Sequence, residues 1–164
     1  MTAETAANVD FEAYVRNVGP DLLSFFARRV YPPDDSADLV AETMVVLWRR
    51  RSAVPLDRDA ARAWAFGVAR GVLRNYRRSG ARRLALADAI REQLATVRPD
   101  APGQDGMELA AALSTLRDAD RELVLLVAWE GLTLELAAVV LGITAPSARA
   151  RYSRARAKLR EALA

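Results

Sequence analysis

Apolar residues recur every three or four positions almost from end to end of this chain, and alternating runs of β-branched residues, the mark of a half-buried strand, are absent. That period belongs to amphipathic helices, and the dominance of alanine, leucine and arginine supports it. An all-α fold is therefore expected. Pro32-Pro33 and Pro55 interrupt the periodicity briefly, and Arg98-Pro99-Asp100-Ala101-Pro102-Gly103-Gln104-Asp105-Gly106 interrupts it at length. The long break reads as a flexible linker. Two small helical domains are expected, residues 10–82 and 107–164, joined by a linker at 83–106.

In the first domain, one helix is expected from about Phe11 to Val30. Phe11, Tyr14, Val15, Val18, Leu22, Phe25 and Phe26 supply its inner face, with a bend at Gly19-Pro20. A second, capped by Ser36, runs to about Arg51 and turns Val40, Met44, Leu47 and Trp48 inward. A third covers about Asp59 to Ser79 and buries Trp64, Val68 and Val72, with Phe66, Ala69, Leu73 and Tyr76 beside them and Gly67 and Gly71 permitting a close helix approach. A short helix fits Leu84 to Val97. In the second domain, helices are expected from Met107 to Leu116, from Asp118 or Asp120 to Glu130, from Leu134 to Leu141, and from Thr144 to the C-terminus. Gly131 and Gly142 end the middle two, and Thr133 and Thr144 cap the last two.

The chain has no cysteine and no histidine. That removes thiolate and imidazole metal ligands, cysteine nucleophiles and serine–histidine–aspartate triads. No compact acidic cluster stands beside a glycine-rich phosphate loop. No catalytic residue, metal site or cofactor is therefore expected, and the chain does not read as an enzyme. Met1 to Asp10 is polar, with two acids and no apolar core, so no secretory signal is expected there. No apolar run is long enough to cross a bilayer, and a cytoplasmic protein, monomeric when free, is expected.

The charge distribution is more informative than its near-balanced total of 24 basic and 21 acidic residues. Residues 1–47 hold eight acids and three arginines, whereas 70–83 hold six arginines and no acid. Residues 84–135 hold ten acids and four arginines, and 136–164 hold five arginines, one lysine and one acid. Two basic patches, each closing a domain, are the electrostatic footprint of a polyanion-binding protein.

Leu132 to Leu159 carries the sharpest signal: a short helix, the turn Leu141-Gly142-Ile143-Thr144 and a second helix make a helix-turn-helix. At 100° per residue, Ala148, Tyr152, Ala155, Leu159 and Leu163 share one side of the last helix, which packs inward. Pro146, Arg149, Ala150, Ser153, Arg154 and Ala157 lie opposite and are free to enter a groove. Arg149 and Arg154 are long enough for guanine edges or phosphates. Ser147, Arg151, Arg156, Lys158 and Arg160 flank that face within reach of the backbone.

Beyond this motif the chain resembles the extracytoplasmic-function sigma factors of bacterial RNA polymerase. Ser36-Ala37-Asp38-Leu39-Val40-Ala41-Glu42-Thr43-Met44-Val45-Val46-Leu47-Trp48 looks like the family's second-region helix, which docks on the clamp helices of the polymerase largest subunit. Ala63-Trp64-Ala65-Phe66-Gly67-Val68-Ala69-Arg70 through Tyr76-Arg77-Arg78 looks like the helix that melts and reads the −10 element. Leu116 to Leu163 looks like the fourth-region domain that reads the −35 element. The resemblance implies polymerase binding through Asp38, Ala41, Glu42, Val45 and Arg49, −10 contacts from Arg70, Arg74, Asn75, Arg77, Arg78 and Arg82, and −35 contacts from the last helix. It also implies promoter DNA, core polymerase, including its flap, and an anti-sigma factor as partners. The chain departs from the family pattern at Met44, Gly71, Leu136-Ala137 and Ala148. A stand-alone helix-turn-helix regulator and a helical adaptor lacking promoter activity remain the alternatives. If fully extended, the 23 residues 84–106 would reach about 75–80 Å, some two turns of duplex.

Overall fold

In the computed structural model of the chain, the backbone is described for residues 3–30, 32–91 and 104–164, and side chains for residues 11–30, 32–80 and 106–164. The described residues form helices α1 (Ala3–Ala27), α2 (Asp35–Arg49), α3 (Arg58–Arg91), α4 (Gln104–Ser114), α5 (Asp118–Ala128), α6 (Leu134–Leu141) and α7 (Ala145–Ala162). A single 3-10 turn, Arg51–Ala53, joins α2 to α3, and no strand occurs among the described residues. Contacts divide the chain into two compact units, Met1–Gly80 and Ala81–Ala164.

The first unit is built around aromatic side chains. Leu22, Phe25 and Phe26 of α1, Leu47 of α2 and Phe66 of α3 are fully buried, each contributing about 1.5–3 kcal/mol of transfer free energy. Phe25 meets Phe26 edge-on at 5.3 Å and Phe66 at 5.6 Å. Polar ties join α1 to the start of α3. The Tyr14 hydroxyl donates to the Ala61 carbonyl at 2.9 Å, and Arg62 Nε donates to Asp21 Oδ2 at 2.6 Å.

Several helix limits differ from the expected ones. α1 starts at Ala3 rather than Phe11 and continues through Pro20. Buried Val18 and Leu22 hold both sides of the proline against the core, which offsets the lost ladder bond. Ser36 is not a cap. It is the second residue of α2 and is buried, because the Pro32 and Pro33 carbonyls accept from the Asp35 and Ser36 amides and start the helix earlier. The buried stripe of α2 is Ser36, Leu39, Thr43 and Leu47. Trp48, expected in the core, is 41% exposed and packs edge-on against Phe11 at 5.2 Å, with the Arg51 guanidinium over its ring.

On α3 the buried positions are Ala61, Ala63, Ala65, Phe66, Ala69, Val72 and Leu73, while Trp64 and Val68 are only half-buried. The inward stripe is rotated from the expected one because Phe66 takes the central place against Phe25. Gly67 and Gly71 have no neighbouring atom within 4 Å of where a Cβ would stand, so neither marks a close approach. At Gly19 a Cβ would stand 3.6 Å from the Met44 methyl, in ordinary contact. α3 also runs unbroken to Arg91, with no separate helix starting at Leu84. Alanine, leucine and arginine beyond Gly80 favour its continuation, and no proline intervenes. Residues 83–91 therefore rise about 1.5 Å each, so the extended-chain reach does not apply to them. Of that expected helix and linker, residues 92–103 lie outside the described residues.

In the second unit α5, α6 and α7 pack on one another and α4 packs on α7. Leu116, Val124 and Ala155 are buried together, with Leu113, Tyr152 and Leu159 against them. The C-terminus of α4 is closed from outside: Arg121 donates to the Leu113 carbonyl at 2.9 Å and the Leu116 carbonyl at 3.1 Å.

Candidate nucleic-acid interface

The helix-turn-helix forms from the residues that its local chemistry requires. The Thr133 hydroxyl accepts from the Leu136 amide at 3.2 Å and starts α6. Gly142 ends α6 at φ 66°, ψ 35°, a left-handed conformation that glycine adopts without steric cost. The next amide, of Ile143, returns to the Ala138 carbonyl at 3.0 Å. The Thr144 hydroxyl accepts from the Ser147 amide at 3.3 Å, and Pro146 sits in the first turn of α7, where its missing donor costs no helical bond.

On α7, Ala148 and Ala155 are buried and Tyr152 and Leu159 half-buried, so this inner stripe forms as its spacing predicts. Leu163 does not join it and is 51% exposed, one residue beyond the helix end. Pro146, Arg149, Ala150, Ser153, Arg154, Arg156 and Lys158 are exposed, whereas Ser147 and Arg151 are half-buried.

These side chains are not equally free. Lys158 Nζ donates to the Thr115 carbonyl at 2.5 Å, which turns the ammonium toward the end of α4. Arg156 lies over the Tyr152 ring at 5.8 Å. Arg149 Nη1 donates to Glu135 Oε1 of α6 at 2.9 Å. Residue types and helical period alone did not single out Glu135. The available signal was that it is the only acid between Gly131 and Arg160.

In the first unit, Arg74, Asn75, Arg77 and Arg78 of α3 are exposed and Arg70 is half-buried. The side chain of Arg82 lies outside the described residues. Tyr76, between these arginines, is anchored: its hydroxyl donates to Asp35 Oδ2 at 2.5 Å. On α2, Asp38, Ala41, Glu42, Val45 and Arg49 are all exposed and form one stripe opposite the buried one. Val45 is 48% exposed, an apolar residue amid charges.

A cleft of about 840 Å³ opens beside the end of this stripe, with Phe11 and Tyr14 on one wall and Arg49, Arg51, Arg58 and Leu56 around it. Among the described residues no helix is long and apolar enough to cross a membrane, and no group of histidine, cysteine, aspartate or glutamate could hold a metal ion.

Comparison with known proteins shows the family of the chain. Residues 14–83 match Sigma-70 region 2, and residues 106–159 match Sigma-70, region 4. The chain is 32% identical over 162 residues to the RNA polymerase sigma-E factor of Streptomyces avermitilis, covering 94% of this chain and 86% of that one. This chain belongs to the sigma-70 family. It is also 35% identical over 147 residues to the ECF RNA polymerase sigma factor SigF of Caulobacter vibrioides, covering 88% of this chain and 80% of the relative. Among solved structures, it is similar to the sigma factor RpoE of Bartonella quintana in complex with the anti-sigma factor NepR. The TM-score is 0.71 at 26% identity, over 94% of this chain and 96% of that one. It is an extracytoplasmic-function sigma factor, directing promoter-specific initiation of transcription; the family is regulatory rather than enzymatic.

Proposed function

We propose that three surfaces divide the work of this sigma factor. The exposed α2 stripe, Asp38, Ala41, Glu42, Val45 and Arg49, docks on the clamp helices of core RNA polymerase. Arg70, Arg74, Asn75, Arg77, Arg78 and Arg82 of α3 engage the −10 element and hold the melted strand. The outward face of α7 enters the major groove at the −35 element, with Arg149 and Arg154 as its long donors. The reader domains are residues 10–82 and 107–164, with 83–106 between them.

One observation carries the reading: α7 buries Ala148 and Ala155 while presenting Arg149, Ala150, Ser153 and Arg154 to solvent. Small residues between long donors let a helix sit deep in a groove and still reach base edges. The polymerase supplies the chemistry, and this chain supplies position. The factor acts in the cytoplasm, where polymerase and nucleoid meet. An anti-sigma factor is a further partner, supported by the anti-sigma complex of the Bartonella relative. The second domain also contacts the flap of the second-largest subunit.

Co-purification with tagged core polymerase, followed by run-off transcription on genomic fragments, tests the proposal. Stable association and promoter-dependent transcripts are expected. The double substitution Asp38→Arg with Glu42→Arg is expected to abolish association while leaving the far-ultraviolet circular dichroism unchanged. Retained association would place the docking surface elsewhere on the molecule.

A further inference from the structure

Glu135 occupies an unusual place. It is the only acid between Gly131 and Arg160, a span that carries four arginines and a lysine up to residue 158. It stands in the first turn of α6. A carboxylate there repels the DNA phosphates that the surrounding arginines attract. A carboxylate in the first turn suits the dipole of α6, but that does not call for an arginine opposite it, and the Glu135–Arg149 pair itself is more than half exposed on both sides, at 61% and 54%. Exposed pairs contribute little.

The pair is also selective. Among the described residues, Arg151, Arg154 and Arg160 on the same helix have no carboxylate within bridging distance, and Arg156 rests on an aromatic ring. The single acid is therefore matched to the one arginine near the start of α7 that faces outward.

Two physical consequences follow. Arginine carries five donors in a planar fork, and the bond from Nη1 to Glu135 uses one of them, which draws the fork toward α6 and leaves the other donors available. Biasing its orientation before DNA arrives lowers the rotamer entropy that binding would otherwise cost. The carboxylate also neutralises the guanidinium locally. A phosphate oxygen approaching Arg149 is repelled by the carboxylate charge for charge, whereas the uncharged acceptors of a guanine edge are repelled much less.

We infer that Glu135 is a specificity-determining residue: it positions Arg149 for base readout in the upstream element and suppresses its use as a phosphate contact. This rests on the proposal that α7 reads that element.

The test uses reconstituted holoenzyme and a promoter duplex library randomised across the upstream element, with affinities measured at several salt concentrations. Glu135→Gln keeps the size and polarity of the side chain and removes its charge. It is expected to reduce discrimination at one base-pair position by roughly tenfold, within what a bidentate arginine contact confers. Affinity for non-cognate DNA is expected to rise, and the slope of log affinity against log salt to steepen by about 0.9 as Arg149 gains a phosphate. Arg149→Ala is expected to lose discrimination at that same position, and the double variant to match Arg149→Ala. If Glu135→Gln keeps the parent's base preferences and salt slope while Arg149→Ala loses preference at one position, the role of Glu135 is refuted and readout by α7 stands. If Arg149→Ala changes affinity equally on every sequence, readout by Arg149 is refuted, and the inference with it.

Discussion

The Tyr76 hydroxyl donates to Asp35 Oδ2 across 41 residues of sequence. It ties the arginine-bearing part of α3 to the first turn of α2, the helix whose exposed stripe is the proposed polymerase contact. Neither residue is in the apolar core, yet together they set how two functional helices meet. Hydrogen bonds to charged groups contribute about 1.5–3 kcal/mol, with partial exposure drawing this one toward the lower figure. Tyr76→Phe is expected to lower the stability of the first unit by about 1–2 kcal/mol in urea denaturation. An unchanged midpoint would show that packing alone holds the two helices.

Tyr14 makes a pH-dependent contribution. Burial raises its hydroxyl above the ordinary tyrosine value, and in its neutral form it donates to the Ala61 carbonyl. A group whose value is raised in the fold contributes stability that is complete below its unfolded value, about 10. That stability is lost as pH climbs from there toward the folded value. Tyr14→Phe is expected to be less stable than the parent by about 1 kcal/mol at neutral pH, with the gap narrowing above pH 10. A gap constant from pH 7 to pH 11 would mean that the hydroxyl does not titrate differently in the fold.

Lys158 joins α7 to α4 through the Thr115 carbonyl. Lys158→Met is expected to lower the thermal midpoint of the chain while leaving the salt dependence of promoter binding by holoenzyme unchanged. A phosphate contact would instead reduce the slope of log affinity against log salt by about 0.9, which would show that the ammonium leaves Thr115 for DNA.

Gly67 and Gly71 lie inside α3 with space around them. Glycine costs about 0.8–1.0 kcal/mol relative to alanine in a helix interior. Gly67→Ala and Gly71→Ala are each expected to stabilise the chain by about 0.5–1 kcal/mol, read from denaturant midpoints. Gly142→Ala is expected to do the reverse, losing about 1–2 kcal/mol, because its φ of 66° strains any residue with a Cβ. Destabilisation by Gly71→Ala would reveal a requirement at that position other than helix formation.

Much of this architecture is legible in the one-dimensional pattern, because helices, caps and turns are local. The spacing of Ala148, Tyr152, Ala155 and Leu159 sets the inner face of α7. Thr133, Gly142 and Thr144 bound the helix-turn-helix through interactions within a few residues of themselves. The concentration of arginine at 70–83 and 149–160 is likewise a property of the chain alone.

Tertiary structure decided what depends on partners far along the chain. Trp48 and Trp64 carry the right residue type for a core, but the central place went to Phe25 and Phe66, which meet only when α1 and α3 pack. The periodicity of α3 alone gave Phe66 no precedence over Trp64, since position in a stripe is relative until a facing helix is present. The same distance rule separates the cations of α7. Lys158 and Arg149 look alike as exposed bases on a helix, yet one finds Thr115 across 43 residues and the other finds Glu135 across 14. Helical period determines which way a side chain points, and only the packed neighbours determine what it meets there.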